Sequence, residues 1–357
     1  MTLPGIGQSI RYSQIKTEFG LAPSFAAYQS SNSNFTNENL GDLTNLPLDQ
    51  GIPTSGQMKF SDFSSKSLNV VLDYFDSDLD NTIRHDMKEK FVGSSIGQGL
   101  FVVGGYEPKP SSTTGKRIIA HVNVTIGSTH QSQGSGKSVR RNVALKTGVW
   151  DTGTKLEINV GASGKILGQG GNAGKGGNSN GQGVAGKNGG SAIGVEETNY
   201  ASMKIVNKGL ISAGFGGGGG GKGKGQYVSS GKKSSVFATS SGGGGGGGQG
   251  FPFGSGAAAG SGASNGGSNG SAGADGTVDG NNGGGAGGSG GGGGAGKGGN
   301  GGDPAGIAQD GGNSGATKGL SGYAIIGAKN ADPASYTSST GGGTVTGDIL
   351  YPESNIY

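Results

Sequence analysis

Of the 86 glycines in this 357-residue chain, 65 lie between Gly161 and Asn330, and the runs Gly216–Gly221, Gly242–Gly248 and Gly290–Gly294 are unbroken. Glycine has the most backbone freedom to lose on ordering, and no side chain to bury in compensation. Such a segment has two outcomes. It stays a flexible linker, which is what composition alone suggests, or its backbones pair with one another in a lattice that tolerates few Cβ atoms.

The spacing argues for the lattice. Gln169, Asn172, Lys175 and Asn178 recur at every third position, and Lys297, Asn300 and Asp303 repeat the interval with Gly-Gly between them. Ala286, Ser289 and Ala295 are likewise spaced by multiples of three. A period of three matches an extended helix of the polyproline II type, with three residues per turn and a rise of about 3.1 Å. Side chains then occupy one edge and leave two bare, so neighbouring backbones can approach until N–H meets C=O. Pure glycine runs belong in the middle of such a bundle. Collagen is excluded, because it needs abundant proline and this chain has ten.

With 30% hydrophobic and 14% charged residues, a large conventional core is expected only outside the glycine region. No stretch approaches the roughly 20 apolar residues of a membrane span. The start, Met1-Thr-Leu-Pro-Gly, lacks the basic and apolar regions of a signal peptide, and without cysteine there is no disulfide framework. The net charge is +4, and the glycine region holds twelve Lys, no Arg and six acidic residues. That balance suggests mild attraction to an anionic surface, too dilute for a nucleic-acid groove.

Four segments are expected: an attachment module at 1–110, a β-rich base at 111–165, the glycine bundle at 166–318 and closing strands at 319–357. In the first, Ile10-Arg-Tyr-Ser-Gln-Ile15 and Met58-Lys-Phe-Ser-Asp-Phe63 match in type at each position, which marks a duplicated docking element centred on Tyr12 and Phe60. In the second, Val122, Val124 and Ile126 alternate with polar residues, as do Leu156, Ile158 and Val160. Ile205–Gly214 repeats the passage, and each strand runs straight into a glycine tract. Between tracts, Tyr227, Lys232, Lys233, Phe237, Phe251 and Phe253 stand in the gaps, the composition of a contact surface. Packing of these aromatics on the bundle is the competing reading. Phe215 and Tyr323 adjoin strands and are expected to pack there.

Catalytic and metal motifs are incomplete. Gly134-Ser-Gly-Lys-Ser138 lacks the first glycine of a phosphate loop, Gln131 standing in its place, and reads as a polar turn. Asp76-Ser-Asp-Leu-Asp-Asn81 begins like a calcium loop, but Asn81 replaces the turn glycine and Met87 the bidentate glutamate. His85, His121 and His130 have no metal-spaced partners, and His121 is expected to face solvent. No cofactor is called for.

Polyglycine tracts alternating with short loops, closed by Gly322-Tyr-Ala-Ile-Ile-Gly327, resemble the glycine-rich adhesins of tailed bacteriophages, above all those at the tips of T-even-type long tail fibres. Asn207-Lys-Gly-Leu-Ile-Ser-Ala-Gly-Phe-Gly-Gly217 also resembles the C-terminal part of host-specificity tail-tip proteins. The likeness covers roughly Lys155–Leu350. It implies a mainly β fold with a polyglycine II helix bundle, and tip loops that bind a bacterial outer-membrane protein or surface glycan. Those loops would be Gln226–Ser241, Gln249–Phe253, Ala274–Asn282 and Asp303–Asp310. It also implies a virion location, with other tail proteins as partners of the N-terminal module. A non-recognising rigid spacer and a polysaccharide-degrading tail spike are the rival functions, and an ice-binding bundle is opposed by the Lys, Tyr and Phe loops.

Overall fold

The computed structural model describes residues 3–19, 56–66, 70–74, 85–92, 101–102, 112–127, 142–196, 202–229, 235–278, 283–304, 306–328 and 342–353. The phosphate-loop-like and calcium-loop-like segments, with His130, lie outside them.

The protein is mainly β. Three sheets surround one core, and the chain visits them in rotation. β4 (Arg117–Val122), β5 (Thr125–Gly127) and β6 (Val143–Lys146) make one circuit. β7 (Lys155–Val160), β8 (Lys165–Leu167) and β9 (Ser191–Val195) make the next, and β10 (Ser202–Asn207), β11 (Leu210–Ser212) and β14 (Ile325–Ala328) a third. Each circuit stacks on the previous one through parallel, in-register pairing, which makes a three-sided prism. β1 (Val70–Tyr74), β2 (His85–Asp86) and β3 (Phe101–Val102) extend one end, and β15 (Thr344–Thr346) and β16 (Ile349–Glu353) extend the other.

Register puts like side chains above one another. Val70, Ile118, Leu156 and Met203 form one buried ladder, and Ile126, Ile166 and Ile211 another. Leu145, Ile193 and Ile325 form a third. The β-branched residues that the alternation singled out therefore line a shared interior, the environment that suits them. Two expectations are corrected here. The boundary at 110 does not separate the strands, since β1 pairs directly with β4. His121 is buried, not solvent-facing, together with Ile119, Glu157 and Asn159. Beside the start of β4, Glu18 of α1 (Tyr12–Phe19) forms a buried ion pair with Lys116.

Between β8 and β9, and again between β11 and β14, the chain leaves the prism in ten glycine-rich tracts. In chain order they are tract 1 (168–178), tract 2 (182–190), tract 3 (214–223), tract 4 (242–250), tract 5 (254–261), tract 6 (268–277), tract 7 (283–291), tract 8 (295–302), tract 9 (307–312) and tract 10 (316–322). Their N–H groups bond to neighbouring tracts, and the partner changes with a period of three. In tract 4, Gly242, Gly245 and Gly248 donate to tract 1; Gly243, Gly246 and Gln249 to tract 8; Gly244, Gly247 and Gly250 to tract 6. Its carbonyls accept from tracts 3, 5 and 7, so tract 4 has six neighbours. Tract 3 is likewise enclosed by tracts 1, 2, 4, 8, 9 and 10. The other eight close a ring around this central pair in the order 1, 2, 10, 9, 8, 7, 6, 5.

Glycine content follows position in this array. The enclosed tracts 3 and 4 carry the unbroken runs Gly216–Gly221 and Gly242–Gly248, all buried. Tracts 1 and 8, which touch four neighbours, keep mostly Gly-Gly-X; tracts 2, 6 and 10, which touch three, keep about one glycine per three residues. Tract 7 departs from this order, with three neighbours and two glycines in three. Gly290–Gly294 is no central run either: Gly293 and Gly294 take positive φ in the turn that follows tract 7.

At the rim, side chains complete the array. Asn172 Oδ1 accepts from Ser255 N–H and Asn178 Oδ1 from Ser261 N–H, both at 2.8 Å. Asp275 and Asp310 do the same for Gly256 (2.7 Å) and Lys318 (2.9 Å). The period-three polar residues stand in for a missing neighbour, since a backbone donor left unpaired in a packed array is costly.

Candidate functional site

Successive tracts run away from the prism and back, so their connections fall at two ends. The turns at 250–253 and 303–306 lie beside the prism: Phe251 N–H donates to Gly168 O at 2.9 Å, where tract 1 leaves β8, and Phe251 packs against Gly127 of β5. The opposite end gathers the turns at 179–181, 262–267, 292–294 and 312–315 around a hairpin of β12 (Lys224–Ser229) and β13 (Ser235–Ser240).

These turns need left-handed backbone, and the residues there supply it. Ser179, Asn265, Asn313 and Ser314 take φ between 43° and 56°, and Gly262, Gly266, Gly293 and Gly294 are also positive. Asparagine and glycine are the residues that adopt this conformation most readily. The turns are stitched to one another and to the hairpin. Ser179 Oγ donates to Gly262 O at 2.7 Å, Gln182 Nε2 to Ser314 O at 2.6 Å, and Asn313 Nδ2 to Gly294 O at 3.2 Å. Gly225 N–H donates to Asn180 Oδ1 (3.2 Å), and Asn265 Nδ2 to Phe237 O (2.8 Å). Thr239 and Ser264 pair through both backbone and hydroxyl groups.

On this support Tyr227 and Phe237 sit opposite each other in the hairpin register, ring centroids 5.1 Å apart at 67°. Tyr227 is 74% exposed and Phe237 40%. Lys232 and Lys233 connect β12 to β13 and lie outside the described residues.

No protein-family model matches the chain, and no curated protein matches it. Among solved structures, the crystal structure of the gp37–gp38 adhesin tip complex of the bacteriophage S16 long tail fibre aligns with 88% of this chain and 95% of that one, at 16% identity and a TM-score of 0.36. A score of that size does not establish a common fold.

The six residues singled out from the sequence are therefore not one cluster. Tyr227 and Phe237 meet at the far end, whereas Phe251 and Phe253 lie beside the prism, because tract 4 runs back towards it. The stretches around Asp275 and Asp303 also fall at the prism end. The sequence reading missed Asn180, Asn265 and Asn313. Asn180-Gly181 and Asn265-Gly266 are turn dipeptides that would have located two of these tip turns. Phe215 and Tyr323 are buried where tracts meet strands, as expected.

At the N-terminus, Tyr12 opens α1 and Phe60 opens a 3-10 turn (Phe60–Phe63). The preceding N–H groups are held alike, Arg11 by Gln14 Oε1 at 2.7 Å and Lys59 by Asp62 Oδ2 at 2.6 Å. Ile15 and Phe63 close the two segments as fully buried side chains. Ile6, Ile10 and Phe60 line a recess of about 200 Å³ between them.

Proposed function

We propose that this chain is a bacteriophage tail-fibre or tail-tip adhesin: a polyglycine II array, rooted in a β-prism, that holds a recognition surface for the host at its far end. The observation that carries the reading is the stitched far end with Tyr227 and Phe237 exposed on it. Aromatic rings give a large contact area at little entropic cost when their support is rigid. Period-three hydrogen bonding and six-fold enclosure support the polyglycine II assignment. Tyr12, Phe60 and the recess between their segments are the proposed attachment to other tail proteins, and the proposed location is the virion tail.

The test is capture of labelled full-length chain by a panel of bacteria, with Y227A/F237A and F251A/F253A double variants. Binding to some strains that Y227A/F237A abolishes and F251A/F253A retains is the expected result. Absence of binding to any strain, or loss only with F251A/F253A, overturns it.

A further inference from the structure

Prism and array meet at a recess of about 410 Å³. One wall is the turn Thr346-Gly347-Asp348 between β15 and β16. The other is the prism-side end of tracts 9 and 10, with Asp303, Ile307 and Leu320, and the buried Phe215 of tract 3 lines the recess as well. Both walls are pinned by backbone bonds. Ala213 N–H donates to Thr346 O at 2.8 Å and Ala324 N–H to Asp348 O at 2.9 Å, while Gly219 N–H holds tract 9 through Gln309 O at 3.0 Å. Asp303 is fixed too, its Oδ2 accepting from Gly284 N–H and its Oδ1 from Gly306 N–H.

The recess differs from the rest of the array in what it exposes. Among the described residues, Ile307, Leu320 and Val184 are the large aliphatic side chains exposed on the tracts; the other exposed side chains there are polar or alanine. Ile307, 73% exposed, and Leu320, 51% exposed, both line this recess. Val345 and Ile349, also exposed, flank the lining turn in the chain. The lattice needs no aliphatic at its rim, since Ser, Asn and Ala serve elsewhere, so this apolar area is left for something else to bury. Charge sets the recess apart as well. In a chain of net charge +4 its lining holds Asp303 and Asp348 and no Lys, Arg or His. Finally, β15 and β16 are each the last strand of their sheet among the described residues, and a last strand offers one row of backbone groups to a further strand.

We infer that this junction docks an extended, basic segment of a partner polypeptide, which adds a strand to β15 and sets a Lys or Arg side chain against Asp303, Asp348, Ile307 and Leu320. The inference is independent of the far-end recognition surface. Lys and Arg carry an apolar stem and a cationic head, which is the combination that aliphatics beside carboxylates match. Strand addition supplies affinity through main-chain bonds, and the side chain seated in the recess supplies specificity. A bare cation leaves the aliphatics unexplained, and a neutral glycan leaves the charge unexplained.

The test is methyl NMR on the full-length chain, with labelled Ile, Leu and Val methyl groups. The chain is titrated with the peptide acetyl-Thr-Val-Arg-Val-Thr-amide, with its Glu counterpart and with free arginine. The Arg peptide is expected to shift the signals of Ile307, Leu320 and Val345 and to bind at least tenfold more tightly than either other probe. Asp348→Lys should weaken it tenfold or more at unchanged melting temperature, and Asp348→Asn should weaken it less. The double variant I307S/L320S, altered only at exposed side chains, should also lose binding. Four outcomes overturn the inference: no shift at these methyl groups, equal binding of the Glu peptide, undiminished binding by both Asp348 variants, or free arginine binding as tightly as the peptide, which marks a small-cation site. Shifts of the same signals with protein concentration alone overturn it too, because the occupant is then a second copy of this chain.

Discussion

At the scale of single residues, the central glycines are held by distances rather than by conformation. A Cβ on Gly245 would lie 2.2 Å from Gly218 O and 2.7 Å from Gly218 C, both backbone atoms with no rotamer to yield. Gly245→Val is expected to destabilise by about 3 kcal/mol or more, the upper range for overpacking. Gly292→Ala is the control: its Cβ would meet only Ser268 Oγ within 4 Å, at 3.1 Å, and a small effect is expected. Paired thermal melts decide, and equal behaviour of the two variants contradicts the enclosed position of tract 4. Rim residues act by hydrogen bonding. Asn172→Ala leaves Ser255 N–H without its 2.8 Å acceptor and should cost about 1 kcal/mol. Asn172→Asp should restore the wild-type melting temperature, since Asp275 performs this task natively.

At the scale of elements, the strands of the prism were legible because alternation reports burial directly: Leu156, Ile158 and Val160 all face the core. The three-residue phase of tracts 1 and 8 was legible for the same reason, each side chain marking an edge free of backbone neighbours. Which end each loop occupies was not legible. That depends on the parity of tracts before it, and the pass through Gln182–Gly190 reads as loop as readily as tract. Hence Phe251 and Phe253 were grouped with Tyr227 although tract 4 carries them back to the prism. The burial of His121 was not legible, because a strand residue out of phase with the core ladder reads as solvent-facing. The buried pair of Glu18 with Lys116 was not legible either, since it joins residues 98 positions apart. Lys116→Ala removes one partner of this buried pair and should cost about 3–5 kcal/mol, whereas replacing both partners with apolar residues of similar size should cost far less. Denaturant titration of the single and double variants tests this. Removal of residues 1–50 deletes Glu18 along with Tyr12, so a clean test of virion attachment needs point variants at Tyr12 and Phe60 instead.

At the scale of the whole molecule, the account makes one structural demand. Ten tracts without a hydrophobic core of their own must be as firmly ordered as the prism, because the far-end turns are positioned only through them. Strand pairing supplies the continuity. β8 and β11 run in register into tracts 1 and 3, where Gly168 N–H donates to Ser212 O and Gly171 N–H to Phe215 O. Tracts 2 and 10 return into β9 and β14, with Ala192 N–H donating to Tyr323 O. Composition alone gave the opposite answer, a flexible linker, because it ignores phase. The most direct measurement is amide hydrogen exchange. Protection of 216–221 and 242–248 comparable to that of β4 and β7 is the result this architecture predicts. Exchange of those amides at the rate of an unstructured glycine chain, while β4 and β7 stay protected, would contradict it.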